Sequence, residues 1–426
     1  MTTIDPPTDR GTDLADPALD HWGDYDRDDP FALFDRVREA GPVHEVTLAD
    51  GHRAVLVLGY AASREALNHP DLSKDMLAAL ADDGAVVAEG LPGPAFARHM
   101  LSVDPPDHTR LRRLAAGAFR RARLDALEPR IRDIVDELLG ELEAATGPVD
   151  LVAGFARPLP FAVIGELLGI DRDAQRHLSG WFAALFAPYT GDQPPAEAVA
   201  ASESVVRYLG DLVDSRWDAP SEDLVGDLVR ACRDELLTRQ ELLSTLFQLI
   251  VAGHDTTTSL IGNGVALLLQ HPEQREALVA DEGLVKGAVE EMLRVDAPVH
   301  HATFRYTVRD TTIAGVPIPA GMQVLVNLAA AGLDPERNDH PEVFDVRRSG
   351  GAHVAFGHGV HHCLGAPLAR LEAEIAFGEL LRRFPAMRLA VPRDDLHWGH
   401  GDGLVLRGLS ALPVLLGPAR EDDNPS

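Results

Sequence analysis

The chain has two cysteines, and one of them, Cys363, stands in a segment suited to ligand chemistry, FGHGVHHCLGAPLARLE over residues 356–372. Gly357 and Gly359 precede the cysteine, and Leu364, Leu368 and Leu371 follow it at helical spacing. This order predicts a tight, glycine-permitted turn running into a helix N-terminus. Unpaired amide N–H groups and the positive end of the helix dipole at such a place favour a thiolate. A thiolate ligates metals, and the glycines would let a flat group approach the backbone. Three readings follow. Cys363 is a buried structural thiol; or it joins His358, His361 and His362 around zinc; or it is the single axial thiolate of a haem iron. Zinc sites usually bring a second ligand pair at a set distance, whereas Cys232 is alone in a helical stretch. The haem reading is therefore preferred.

Three other stretches carry candidate chemistry. In DPPDHTRLRR, residues 104–113, Asp107 is a candidate N-cap for a helix reaching Phe119, and His108 and Arg112 share a face four residues apart. That face suits an anionic group, or it is simply a solvated basic face. Arg110, Arg113, Arg120, Arg121 and Arg123 add positive charge nearby. The longest helical pattern, residues 241–270, has VAGHDTTT at its centre. Gly253, Thr256 and Thr257 are poor helix residues, and a threonine hydroxyl can bond the carbonyl four residues back. Ala252 and Thr256 share a face with Gly253 beside them, which makes a small groove with a hydroxyl in it and Asp255 adjacent. The plainer reading is a bent buried helix. In a further helix, residues 287–295, Glu291 and Arg294 lie three apart and can pair.

Taken together and in this order, the stretches resemble the cytochrome P450 family. Phe356, Gly357, Gly359, His361, Cys363 and Gly365 match its haem-binding signature, and the resemblance runs from about Asp29 to Leu416. It implies a mainly helical α+β fold, a triangular helical domain with small sheets. Haem b would lie between the long central helix and the helix over 366–384, with Cys363 as the iron ligand. By the same resemblance His108, Arg112 and Arg305 contact the haem propionates. Ala252, Gly253, Asp255 and Thr256 form the oxygen-binding motif, with Thr256 hydrogen-bonding dioxygen and Asp255 relaying protons. Glu291 and Arg294 are a structural pair whose usual third partner, an arginine, falls here on Val343; His340, Arg337 or Arg347 would substitute. Pocket walls are implied at 84–100, 181–189, 249–256, 299–303 and near 404, including Val86, Val87, Phe182, Leu185, Leu249, Ala252, Val299 and Leu404. His300 and His301 would offer polar contacts there or face solvent.

The implied activity is oxygenation of an apolar secondary metabolite, polyketide- or macrolide-like, terpenoid or steroid-like. It would use dioxygen and electrons from ferredoxin and ferredoxin reductase, since no nucleotide- or flavin-binding motif is present. A peroxide-driven haem peroxygenase and a non-catalytic haem protein are the alternatives. Composition sets outer limits. The 426 residues, 45% hydrophobic, can bury a large core, and no interior linker divides them. A formal net charge of -28 argues against nucleic-acid and anionic-membrane partners. With no signal peptide or apolar run of about 18 residues, the expectation is a cytoplasmic monomer. Residues 28–416 are expected to form one domain between an acidic disordered segment, 1–27, and a disordered tail, 417–426. The positioning elements are a helix at 29–40, strands at 43–48 and 54–58 about an Asp50-Gly51 hairpin turn, a helix at 60–68, a loop with a short helix at 78–98, strands at 311–314 and 322–328, and strand and turn at 396–416.

Overall fold

The computed structural model describes residues 17–75, 98–187, 194–399 and 404–417. The N-terminal third carries α1 (Phe31–Ala40), the hairpin β1 (Val43–Thr47) and β2 (Arg53–Val57), α2 (Tyr60–Leu67), β3 (Leu72–Ser73) and α3 (Asp107–Ala115). Next come α4 (Arg121–Glu143), β4 (Val149–Asp150), α5 (Pro158–Leu168), α6 (Arg172–Leu185), α7 (Ala196–Ser215) and α8 (Leu224–Arg233). The long α9 (Arg239–Gln270) leads to α10 (Pro272–Ala280), α11 (Val285–Val295), β5 (Arg305–Thr307), β6 (Thr311–Ile313), β7 (Val316–Ile318) and β8 (Gln323–Val326). The chain closes with α12 (Leu328–Gly332), α13 (Ala366–Arg383), β9 (Arg388–Leu389) and β10 (Pro413–Leu415).

Helix α9 runs through the middle of the core. Its start is set by a reciprocal cap: Glu241 N donates to Thr238 Oγ1 at 3.2 Å and Thr238 N to Glu241 Oε2 at 2.8 Å. Leu246, Ile250, Ile261 and Val265 are buried along it, and α5 and α13 pack against it. The five-stranded sheet, ordered β1-β2-β8-β5-β3, flanks this helical body, with β2 and β8 parallel and the other pairs antiparallel. Arg305 pairs with Val324 across β5 and β8, and all three residues of β5 are buried.

Two expectations are corrected. The acidic segment 1–27 was placed outside the domain, yet from Pro17 onward it is packed. Trp22 is fully buried, donates its backbone N–H to Thr47 O at 2.8 Å, and joins Phe34 and Leu56 in one apolar cluster. One large indole outweighs the acidic residues around it, because its burial contributes several kcal/mol while the carboxylates stay in water. Residues 1–16, 76–97 and 418–426 lie outside the described residues, and so do the expected ends of both terminal segments and the expected loop at 78–98. Asp107 is the first residue of α3 and makes no cap bond; its carboxylate pairs with Arg98 and Arg110 instead.

His300 and His301 do not face solvent. His300 is buried beside Asp296, which holds Arg407 at 2.7 Å. His301 Nδ1 donates to Leu404 O at 2.9 Å, and its Nε2 accepts from Trp22 Nε1 at 3.1 Å and Asn327 Nδ2 at 3.3 Å. Both nitrogens of a neutral ring are thus used, and burial pushes the His301 imidazolium down to about 3. The folded state therefore refuses a proton that the unfolded chain takes near pH 6.5. Stability from this site is complete above pH 6.5 and falls as pH drops toward 3. Between pH 7 and pH 5, His301→Gln should remove about 2 kcal/mol of the pH-dependent loss of unfolding free energy in urea titrations, while lowering stability at pH 7. An unchanged slope would mean that the ring is protonated in the fold.

Candidate functional site

The cysteine turn is built by backbone. Gly357 and Gly359 have φ of 72° and 74°, a region closed to most side chains. A Cβ on Gly359 would also come within 2.6 Å of Asn68 Oδ1. Cys363 N donates to Phe356 O at 2.8 Å and closes the turn. Arg370 covers the Phe356 ring at 4.4 Å from its centroid and is held by Glu290 at 2.6 and 2.9 Å. Glu290 also meets His353 at 3.1 Å, and these partners hold its carboxyl down near 2 against the penalty of burial. Cys363 itself keeps open surface, so it faces space rather than packed core. Burial pushes its thiol up, only partly offset by the N–H groups of Gly365 and Ala366 and by Arg112 and Arg370. The turn's N–H groups thus act in the thiolate's favour, and a bound cation would displace the proton. Among the described residues no three of His, Cys, Asp and Glu converge around a metal-ion position, so zinc lacks a second ligand set.

Beside this turn lies a buried excess of positive charge. His108 is 3% exposed, and neither ring nitrogen has a hydrogen-bond partner among the described residues. Its ring lies 4.3 Å from that of His361, and the His361 imidazolium is pushed down to about 3 by burial, then by His108, Lys74, Arg305 and Arg112. Arg305 is buried, donates to Thr303 O at 3.2 Å and is lowered to about 10 by burial. Arg112 is half-buried and has no carboxylate partner among the described residues. Lys74, which the motif reading missed, is buried with Nζ donating to Thr303 O and Phe304 O, both at 2.8 Å. Asp104 is the nearby carboxylate, bonded to Ser73 Oγ and to Lys74 N. Asp104 balances only one of these charges; buried cations in excess of their counter-ions are costly, and a bound dianion would relieve the excess. A haem, with two propionates and an iron needing a thiolate, fits these residues.

On α9, Thr256 Oγ1 donates to Ala252 O at 2.9 Å, and Ser259 Oγ to Asp255 O at 2.9 Å. Ala252 is exposed and Thr256 half-exposed, whereas His254 and Asp255 are buried. The groove read from the sequence thus opens on space, with the acid set behind it. Gly253 flanks the groove on the side of α5, where a Cβ would press on Ile164 at 3.3 Å.

The Glu291–Arg294 pair is closed by a third residue, and it is Arg348 rather than His340, Arg337 or Arg347. Arg294 is fully buried and places all its donors: on Glu291 at 2.7 and 2.8 Å, Gly332 O at 3.1 Å, Pro341 O at 2.6 Å and Val343 O at 2.9 Å. Arg348 Nε reaches Glu291 Oε1 at 2.9 Å, and its other nitrogens bind the carbonyls of Asp339, His340 and Val343.

The expected pocket residues divide. Phe182 is 1% exposed, between Phe186, Phe247 and His254, so it presents little wall; Leu185 and Leu249 are also buried. Val299 is half-buried. Leu404 packs with the N-terminal cluster, in contact distance of Gly23. Val86 and Val87 lie outside the described residues.

The family model described as Cytochrome P450 matches residues 218–397. The chain is 42% identical over 420 residues to "Cytochrome P450 monooxygenase PikC" of Streptomyces venezuelae, covering 97% of this chain and 98% of that protein. It is 40% identical to "Mycinamicin IV hydroxylase/epoxidase" of Micromonospora griseorubida, covering 90% and 94%. The solved structure of the tirandamycin C-bound P450 monooxygenase TamI superposes with a TM-score of 0.82 at 43% identity, covering 91% of this chain and 97% of that one.

Arg305→Leu should leave the haem-free protein as stable as the parent or more so in urea, because a desolvated cation is removed. The same variant should lose haem to excess apomyoglobin about ten times faster, a loss of one charge-assisted contact. Equal haem-transfer rates in parent and variant would contradict it.

Proposed function

The chain belongs to the cytochrome P450 family and is a cytochrome P450 monooxygenase, and from that membership we propose that it hydroxylates or epoxidises an apolar macrolide- or polyketide-like secondary metabolite. What carries this reading is the coincidence of the open Cys363, the anion-seeking cluster and the Ala252–Thr256 groove in one chain whose relatives include an enzyme named for mycinamicin IV and a structure holding tirandamycin C. Haem b, when bound, supplies reduction of dioxygen and insertion of one oxygen atom into the substrate.

The chain's own residues supply the rest. Cys363 Sγ would give the iron its thiolate ligand. His108, Arg112, Arg305 and His361 would hold the propionates, with Lys74 bracing the strand that carries Arg305. The Thr256 hydroxyl, whose one hydrogen is on Ala252 O, stands at the groove to accept a hydrogen bond, or to donate one on turning from that carbonyl, and the Asp255 carboxyl would move protons to the oxygen that leaves as water. This pair favours oxygen-driven over peroxide-driven chemistry. The buried Glu291, Arg294 and Arg348 hold the loop leading to the cysteine. The fact that Val343 is not an arginine is compensated by Arg348.

Electrons would come from a ferredoxin and its reductase. Of the basic residues near α3, Arg110 is tied to Glu241 and Asp107, and Arg123 to Asp227 at 2.7 Å. Arg113 and Arg120 are exposed, with no carboxylate partner among the described residues, and so are the better docking charges. The test is turnover of a macrolactone panel with ferredoxin, reductase, NAD(P)H and labelled dioxygen. Product carrying one labelled oxygen is expected; equal turnover with peroxide alone would contradict the reading. In the same assay, Arg113→Glu with Arg120→Glu should raise the KM for ferredoxin about tenfold at low salt and much less at high salt. An unchanged KM would move the docking face elsewhere.

A further inference from the structure

The centre of α9 carries a histidine whose contacts determine a proton count. His254 is buried, and its Nδ1 lies 3.1 Å from Ile250 O, one turn back. A carbonyl oxygen only accepts, so Nδ1 carries hydrogen. The other nitrogen, Nε2, lies 3.0 Å from Asp255 Oδ1. A neutral ring with its hydrogen on Nδ1 has a bare lone pair at Nε2. Set against an ionised carboxylate inside the protein, that contact would be repulsive. At 3.0 Å it needs a proton between the two atoms. Either the imidazolium donates to the carboxylate, or the carboxylic acid donates to the imidazole. The ring is held edge-on by Phe161 at 5.3 Å from α5 and by Phe182 at 6.2 Å from α6. Among the described residues Asp255 is the charged group in contact with it.

We propose that His254 is a positioning residue for proton delivery, sharing one stored proton with Asp255 behind the Ala252–Thr256 groove. The inference rests on the oxygenase reading above and deepens it. The motif makes Asp255 an acid; the geometry makes that acid half of a pair. In use, Asp255 takes the one stored proton from Nε2 and gives it up on the groove side to the oxygen that leaves as water, so the ring is left neutral with its Nδ1 hydrogen on Ile250 O and the carboxylate ionised. Water then returns a proton to Nε2. No electrons and no heavy-atom bonds change within the pair. His254 thereby also aims the carboxylate, which a freely rotating aspartate would not do.

The test counts the proton directly. Purified protein carrying 15N-histidine and 13C-aspartate is examined at pH 7 by NMR and infrared spectroscopy in its diamagnetic ferrous carbonyl form, with His254→Phe and Asp255→Asn as references. The expected result is a His254 ring protonated on both nitrogens, or a carboxylic-acid band that disappears in Asp255→Asn. A ring protonated on one nitrogen beside an ionised carboxylate overturns the proposal. The same count can be made on haem-free protein, so a failed oxygenase reading would not be mistaken for a failed proton pair. In turnover, His254→Phe should lower product per electron pair about tenfold, with peroxide making up the difference, the low end for a lost proton-transfer group. His254→Gln can still donate an N–H to Asp255 but holds no mobile proton. It should recover the parent's thermal midpoint and not its coupling; full recovery of coupling would overturn the proposal.

Discussion

A single fully buried guanidinium organises the approach to the cysteine. Arg294 binds Glu291, the carbonyl at the end of α12 and two backbone carbonyls from the segment that leads to Phe356, and Arg348 brings a second guanidinium to Glu291 from within that segment. Removing one partner of such a set would strand a charge inside the protein, at about 3–5 kcal/mol. That segment has little regular structure of its own, so its path is set by these polar contacts rather than by a helix or strand. The turn of Gly357, Gly359 and Cys363 inherits its position from them.

What that anchoring positions is an electrostatic division of labour. On the cysteine side, burial disfavours the thiolate until a cation arrives. At the edge of the site, Arg112, Arg305, Lys74 and the unpartnered His108 favour an anion. Both imbalances are relieved together by a group that brings a metal cation and two carboxylates. The groove on α9 adds a hydroxyl facing open space and an acid held behind it by His254. Each side chain is ordinary; the function comes from placing opposite unmet demands a few ångströms apart.

Much of this was legible in the sequence because it is written in local spacing. The cysteine turn, the Ala252–Thr256 groove, the His108–Arg112 face and the boundaries of α9 all depend on residues within a turn or two of each other. Contacts made across the chain were not legible. Arg348 was missed by one position because a loop has no periodicity to fix its phase. Lys74 was passed over because its meaning lies in the carbonyls of Thr303 and Phe304, more than two hundred residues away. Trp22 was hidden in an acidic, proline-rich stretch, and its partner His301 looked like a pocket residue until the fold enclosed it. Phe182, which the resemblance put in a pocket wall, packs against Phe186 and Phe247. The sequence of α9 names His254 without showing that its two nitrogens face two acceptors.

The most direct measurement is the absorption spectrum of the purified protein, reduced and exposed to carbon monoxide. A Soret band at the long-wavelength position of thiolate-ligated haem, absent in Cys363→Ala, is the predicted result. A band at the shorter, imidazole-type position in the parent protein, or no haem at all, would contradict the central claim that Cys363 and its cationic surroundings form a haem-thiolate site.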